Sequence, residues 1–269
     1  MKNRFFREFA VSLAFFLLLT IPFLLWDIDI TLQNMLYSNG EWVFRDHAIW
    51  IFLYDYGPAP AVIIFVVALL LWFIASFSGF QKQNRRVLAF VALLMVLGPG
   101  LLVNAVFKEY WGRPRPRETV EFGGQREFVP PLVIGEFVVM QSHEKMLESS
   151  QGAVEWDILR NLYGIKGQYN SFPSGHASTG FYMIFPYFLY RNRKKVIALT
   201  WLAGGVCFGT LMGAGRMAQG AHFASDTLWA GAIVYLAGLT LSYALRIDEQ
   251  GFSFRGFIAG FTPGRYSST

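Results

Sequence analysis

Three short stretches of this 269-residue chain gather residue types able to handle an anionic group. The first, KEYWGRPRPR, carries Lys108 and then Arg113, Arg115 and Arg117 set between prolines. Proline locks its own backbone, so the alternation holds the guanidinium groups on a stiff extended segment suited to clamping an anion. The second, YNSFPSGHAS, opens an apolar run. Ser171 is expected to cap a helix there with Pro173 in its first turn, so that Ser174 and Gly175 turn their amides outward. A helix start attracts anions, glycine admits a close ligand, and His176 follows directly, placed to exchange a proton with whatever binds. The third stretch, GAGRMAQGAHFASD, holds Arg216, His222 and Asp226. If a helix begins near Gly220, His222 and Asp226 share one face, and the carboxylate takes the proton of one ring nitrogen while the other aims outward.

Each stretch alone has a plainer explanation. The arginines suit an interfacial cluster reaching for headgroups, the second stretch a capped helix with an incidental histidine, the third a structural His–Asp pair. Together they supply several fixed cations, a helix start and two histidines, with no cluster of carboxylates to hold a metal. That combination describes a phosphate site expected to work without a metal or other cofactor.

The elements that must position these residues are apolar. The chain is 54% hydrophobic and 15% charged, with a mean hydropathy of +0.37, too apolar for an ordinary soluble domain. Six runs are long or apolar enough to cross a bilayer: Phe9 to Trp26, Ala59 to Phe77, Val87 to Phe107, Ala177 to Tyr190 with the few residues before it, Val196 to Met212, and Thr227 to Leu245. A cleavable leader would also begin with basic residues, but DIDITLQ follows the first run without a small-residue cleavage site, so that run is expected to remain as a span. The expected fold is therefore all-α: one polytopic membrane domain over 1–269, a bundle of six transmembrane helices, with a long outward-facing insert at about 117–170 between spans three and four. That insert joins an apolar stretch, FVPPLVIGEFVVM, to a plausibly amphipathic helix. A structureless connector of that length would be unusual, so an ordered cap or an interfacial element is expected.

Lys and Arg crowd the N-terminus, QKQNRR, RNRKK and the tail, whereas the two short connections on the other side carry only Arg45 and Arg216. The bias puts both termini in the cytoplasm and all three polar stretches on the outer face. The net charge of +5 thus belongs to scattered membrane anchors, with no continuous surface for nucleic acid. The single cysteine, Cys207, forms no intramolecular disulfide and says nothing of redox compartment.

In this setting the three stretches resemble the tripartite signature of the type 2 phosphatidic acid phosphatase superfamily. Its first motif, Lys, six residues, Arg-Pro, is matched by Lys108, Arg115 and Pro116, and its second, Pro-Ser-Gly-His, by Pro173, Ser174, Gly175 and His176. The third, Ser-Arg, five residues, His, three residues, Asp, is matched by Arg216, His222 and Asp226, with Gly215 where the family usually has serine. The resemblance implies that His222 attacks phosphorus to give a phosphohistidine, that Asp226 fixes its tautomer and stabilises the imidazolium, and that His176 protonates the leaving oxygen. Lys108, Arg115 and Arg216, with the Ser174 hydroxyl and the amides of Ser174 and Gly175, would hold the equatorial oxygens. Arg113 and Arg117 fall outside the motif and are left a headgroup role.

A site at the outer surface between spans implies a phosphate carried by a lipid. The compact layout looks bacterial, so lipid A, undecaprenyl pyrophosphate and phosphatidylglycerophosphate are the candidates, with the site on the periplasmic face of the inner membrane. RPRPRETVEFGG is similar to the lipid A phosphatases of the superfamily, a weaker likeness than the three motifs. A phosphotransferase passing the phosphoryl group to a second lipid would use every residue named here. A transporter or non-catalytic lipid binder would want ionisable residues near the middle of its spans, where this chain has almost none. Oligomeric state is not legible.

Overall fold

The computed structural model describes residues 2–77, 82–134 and 170–247. The first apolar run forms α1 (Lys2–Leu25), which gives way at Asp27 to the short α2 (Ile28–Asn34). A two-stranded hairpin follows, Tyr37–Ser38 against Glu41–Trp42, closed by Asn39 and Gly40. Both turn residues have positive φ, 54° and 84°, as a two-residue Asn-Gly turn requires.

Helices α3 (Ala48–Tyr56) and α4 (Ala59–Phe77) make one 30-residue apolar stretch, Ala48–Phe77. The second span therefore begins well before the expected Ala59. Pro58 does not break it, because proline is tolerated in a first turn and its carbonyl accepts from Val62 at 3.1 Å. Helix α5 (Lys82–Met95) continues as a π-helix over Val96–Phe107, containing Pro99, and ends in one turn, α6 (Lys108–Tyr110). The wider π-helical turn is where a proline inside a helix can be accommodated, and such turns concentrate near functional sites. Lys108 follows it directly.

The fourth expected run is built in pieces: α7 (Gly175–Phe181), a 3₁₀ turn (Tyr182–Ile184) and α8 (Phe185–Tyr190). At 1.5 Å per residue it reaches about 24 Å, short of the ~30 Å hydrocarbon thickness. Helices α9 (Lys195–Ala218) and α10 (Ala224–Ala244) complete the bundle. Among the described residues, five helices are long and apolar enough to cross a membrane, and the run from Gly175 to Tyr190 is the shorter element between them.

Packing follows the rules of a lipid-bathed chain. Large apolar side chains such as Leu18, Ile63 and Leu199 stay about 60% exposed, while α4 turns Ala61, Ala68 and Ala75 inward. Small residues let helices approach where lipid offers no hydrophobic driving force between them. One such approach is at Gly180, where an added Cβ would stand 2.8 Å from the Gly209 Cα. The core is filled by Phe90, Leu94, Tyr182, Ile184, Phe188 and Val234.

Lys108, Arg216, His222 and His176 all lie at one end of the bundle, at the finish of the π-helix and α9 and at the start of α10 and α7. At the other end Glu8 accepts from Arg4 at 2.8 Å and from Arg191 at 2.9 Å. The segment after α6 runs extended through two 3₁₀ turns, Pro116–Glu118 and Val120–Phe122. Phe122 packs on Tyr37 and Trp42 of the hairpin, 5.4 Å between centroids in each case. The remainder of the expected insert, including its amphipathic helix, lies outside the described residues.

Candidate active site

The third stretch is organised differently from its sequence pattern. Helix α10 begins at Ala224, so His222 precedes the helix and does not share a helical face with Asp226. What brings them together is the helix start itself. Asp226 turns back so that Oδ2 accepts from the Phe223 amide at 2.8 Å, satisfying one of the amides that a helix start leaves unpaired. His222 Nδ1 then stands 3.6 Å from the same Oδ2 and 2.6 Å from the main-chain carbonyl of Ser171. A carbonyl can only accept, so Nδ1 carries the proton and Nε2 holds the free lone pair. His222 is 2% exposed. Burial, and after it the charges of Arg216 and Lys108, bring its pKa down to about 4 against the opposing pull of Asp226, so the ring is neutral near pH 7.

Ser171 is thus not a helix cap. Its hydroxyl donates to Asp226 Oδ2 at 2.6 Å while its carbonyl holds His222, and the N-cap of α7 is Ser174, whose Oγ accepts from Ala177 N at 3.4 Å. The Ser174 amide is also taken: it donates to the Asp226 carbonyl at 3.2 Å. Of the two groups expected from Ser174, the hydroxyl alone remains for a ligand. At Gly175 a Cβ would stand 2.7 Å from Asn104 Oδ1, so a side chain there would have to displace that amide.

Arg113 corrects the expectation of a headgroup role. It is fully buried and its guanidinium is spent inside the protein. Nη1 donates to Asp226 Oδ1 at 2.5 Å and Ser225 Oγ at 2.8 Å, Nη2 to Asp29 Oδ2 at 2.8 Å, and Nε to the Val129 carbonyl at 2.7 Å. Its plane lies over Phe223, 4.5 Å from the ring centroid. Asp29 also accepts from the amide and hydroxyl of Ser225. From the next turn of α2, Gln33 Nε2 donates to the His222 carbonyl at 2.6 Å. Helix α2 therefore braces the loop from behind. Arg117 is exposed, and its amide ties the extended segment to Gly220 at 3.1 Å.

The remaining groups lie within electrostatic reach of one another. Arg216, His222, Lys108 and Arg115 all bear electrostatically on His176, which places two imidazoles among three cations. Arg115 donates to Asn170 Oδ1 at 2.6 Å, and burial, with Arg117 beside it, depresses its pKa. Arg216 Nη1 reaches the Gln219 side chain, while its buried Nε has no partner. Among the described residues no carboxylate forms an ion pair with Lys108, Arg115 or Arg216; Asp29 and Asp226 are committed to Arg113, and Glu118 accepts from the Arg115 amide. A cluster of cations without ion-paired carboxylates around a neutral imidazole is arranged to receive an anion.

The structure thus assembles Lys108, Arg115, Ser174, Gly175, His176, Arg216, His222 and Asp226 at one end of the bundle. Sequence reasoning missed Ser171 as the holder of His222, the Asp29 and Gln33 brace, Asn104, and Tyr54, whose ring lies under both His176 and Arg216. An acidic residue in DIDITLQ, just past the end of an apolar run, was the one available signal for Asp29.

A family profile described as the PAP2 superfamily matches residues 88–247. The chain is 34% identical over 193 residues to the lipid A 4'-phosphatase of Francisella tularensis subsp. novicida, covering 71% of this chain and 72% of that protein. It is 30% identical over 169 residues to the lipid A 4'-phosphatase of Rhizobium leguminosarum, covering 61% of this chain and 57% of that one. For the protein of that name from Rhizobium etli the identity is 28% over 164 residues, 60% of this chain and 52% of the relative. No solved structure matches the chain.

Proposed function

The chain belongs to the PAP2 superfamily, and from that premise we propose a lipid phosphate phosphatase that removes a phosphate from lipid A at the outer face of the bacterial inner membrane, through a phosphohistidine on His222. The observation that carries the reaction is the state of His222: Nδ1–H is tied to the Ser171 carbonyl and the ring is neutral, so Nε2 is a lone-pair nucleophile beside three unpaired cations. A nucleophile of this kind needs no metal-bound water, and Lys108, Arg115 and Arg216 supply charge where the transferring phosphoryl group develops it.

In the first half-reaction Nε2 bonds to phosphorus as the bond to the lipid oxygen breaks, and that oxygen takes a proton from His176, which the negative charge of the bound phosphate keeps protonated against the burial and neighbouring cations that lower its pKa to about 4. Asp226, held in place by Arg113, Ser171 and the Phe223 amide, offsets the positive charge that appears on the ring. In the second, water attacks phosphorus, His176 takes its proton, and the nitrogen–phosphorus bond breaks to give inorganic phosphate and the starting imidazole. The three relatives named lipid A 4'-phosphatase favour lipid A as the lipid. The concentration of Lys and Arg at the other ends of the helices supports an outward-facing site with both termini cytoplasmic.

The test is release of inorganic phosphate by detergent-purified protein from lipid A, undecaprenyl pyrophosphate, phosphatidylglycerophosphate and phosphatidate, with EDTA present. We expect release from lipid A in EDTA and its loss in a folded His222→Ala variant. Residual turnover above a few per cent in that variant overturns the nucleophile. Label that reappears on a second lipid in place of free phosphate makes the protein a transferase.

A further inference from the structure

Tyr54 lies outside all three motif stretches, on α3 at the start of the second span, yet two groups of the site rest on its ring. The His176 imidazole stacks on it with centroids 4.7 Å apart and planes inclined by 17°. The Arg216 guanidinium carbon stands 4.6 Å from the same centroid. One turn earlier, Trp50 covers Gly215: a Cβ there would stand 3.0 Å from Trp50 Cε3. Helix α3 thus seats two aromatic side chains against consecutive residues at the end of α9.

The stack matters because of what else holds His176. Its main-chain carbonyl accepts from Thr179 Oγ1 at 2.7 Å, but among the described residues no hydrogen bond reaches its ring nitrogens. The terminal torsion of a histidine is broad when nothing fixes it, and proton transfer demands a heavy-atom separation of about 2.6–3.2 Å. Stacking on an aromatic ring fixes the plane of the imidazole, and the π-system of that ring attracts the guanidinium of Arg216. We propose that Tyr54 is a positioning residue for leaving-group protonation, its ring setting the plane of His176 and registering it against Arg216. The proposal rests on the reading of His176 as the proton donor. It assigns the work to the ring face of Tyr54, so the hydroxyl is dispensable.

Four variants test it on the lipid phosphate that the wild-type protein turns over. Tyr54→Phe keeps the face and is expected to retain kcat within about twofold. Tyr54→Leu removes it, and kcat is expected to fall by roughly ten- to a hundredfold, a large part of what a general acid contributes. His176→Asn gives the reference loss, and Tyr54→Leu added to His176→Asn is expected to leave kcat where His176→Asn put it, because residues acting through one group are not additive. A further full drop in kcat in the double variant, or a loss in Tyr54→Phe equal to that in Tyr54→Leu, overturns the proposal. If His176→Asn alone leaves kcat intact, the proton-donor reading fails whatever Tyr54 does. A second readout does not depend on turnover: the ring resonances of His176 in histidine-labelled protein are expected to shift in Tyr54→Leu and to hold in Tyr54→Phe. Unmoved resonances in Tyr54→Leu refute the stack as the positioning device.

Discussion

The main-chain carbonyl of Ser171 holds His222 at 2.6 Å from Nδ1, a full ångström closer than the Asp226 carboxylate. A backbone carbonyl cannot titrate and cannot donate, so the tautomer of His222 is set by the fold and not by the charge state of a neighbour. Asp226 then acts on His222 in two ways: by its charge, and by accepting from the Ser171 hydroxyl that sits beside the carbonyl doing the holding. The second and third stretches of the sequence are joined at this point.

The first consequence concerns titration. Burial of His222, with Arg216 and Lys108 nearby, brings its pKa to about 4, whereas an unfolded histidine titrates near 6.5. Between those values the unfolded chain binds a proton that the folded chain refuses, so stability falls as pH drops through that window and is unaffected by this group above it. In ¹⁵N-histidine-labelled protein, the resonance lost in His222→Gln is expected to keep the neutral, Nδ1-protonated signature down to about pH 5. A midpoint near 6.5 would show an open, solvated imidazole and remove the basis for a neutral nucleophile.

Arg113 gives a stability prediction. Replacing it with Met leaves Asp29 and Asp226 buried without their cation, and breaking a buried pair from one side costs about 3–5 kcal/mol. Thermal unfolding in detergent is expected to show that loss for Arg113→Met and almost none for Arg117→Met, whose side chain is exposed. Equal effects would mean that Arg113 does not carry the buried bridge.

The difference between those two arginines marks the limit of what the chain made legible. Apolar length located the five long helices, and residue types at fixed spacing singled out Lys108, Arg115, His176, Arg216, His222 and Asp226 as candidates, because chemistry confines each to few alternatives. Arg113 and Arg117 look alike in RPRPR, and only the fold decides that one points into a pair of carboxylates and the other into solvent. Ser171 was visible as a polar residue before a helix, but its role depends on a residue 51 positions away. The start of α10 was misplaced because Gly220, with φ of 61°, closes a turn after α9 and does not open the next helix. Tyr54 carries no polar signal at all: its part depends on which ring faces it, and long-range packing of that kind has no periodicity to read.

Gly215 gives the last prediction, since the family usually has serine there. In this chain the Trp50 indole lies so close that a Cβ would stand 3.0 Å from Cε3, tighter than ordinary packing. Gly215→Ser requires Trp50 to give by a few tenths of an ångström, and the turn of α3 that carries Tyr54 is expected to move with it, away from Arg216. Overpacking of this sort costs about 1–3 kcal/mol, and phosphate release is expected to fall several-fold with a matching drop in thermal stability. Trp50→Phe offers a smaller ring, so the double variant Gly215→Ser, Trp50→Phe is expected to recover most of that loss, with a coupling of roughly 0.5–3 kcal/mol between the two positions. Strict additivity would mean that the indole does not select glycine at 215, and a fully active Gly215→Ser would mean that α3 yields without disturbing His176 or Arg216.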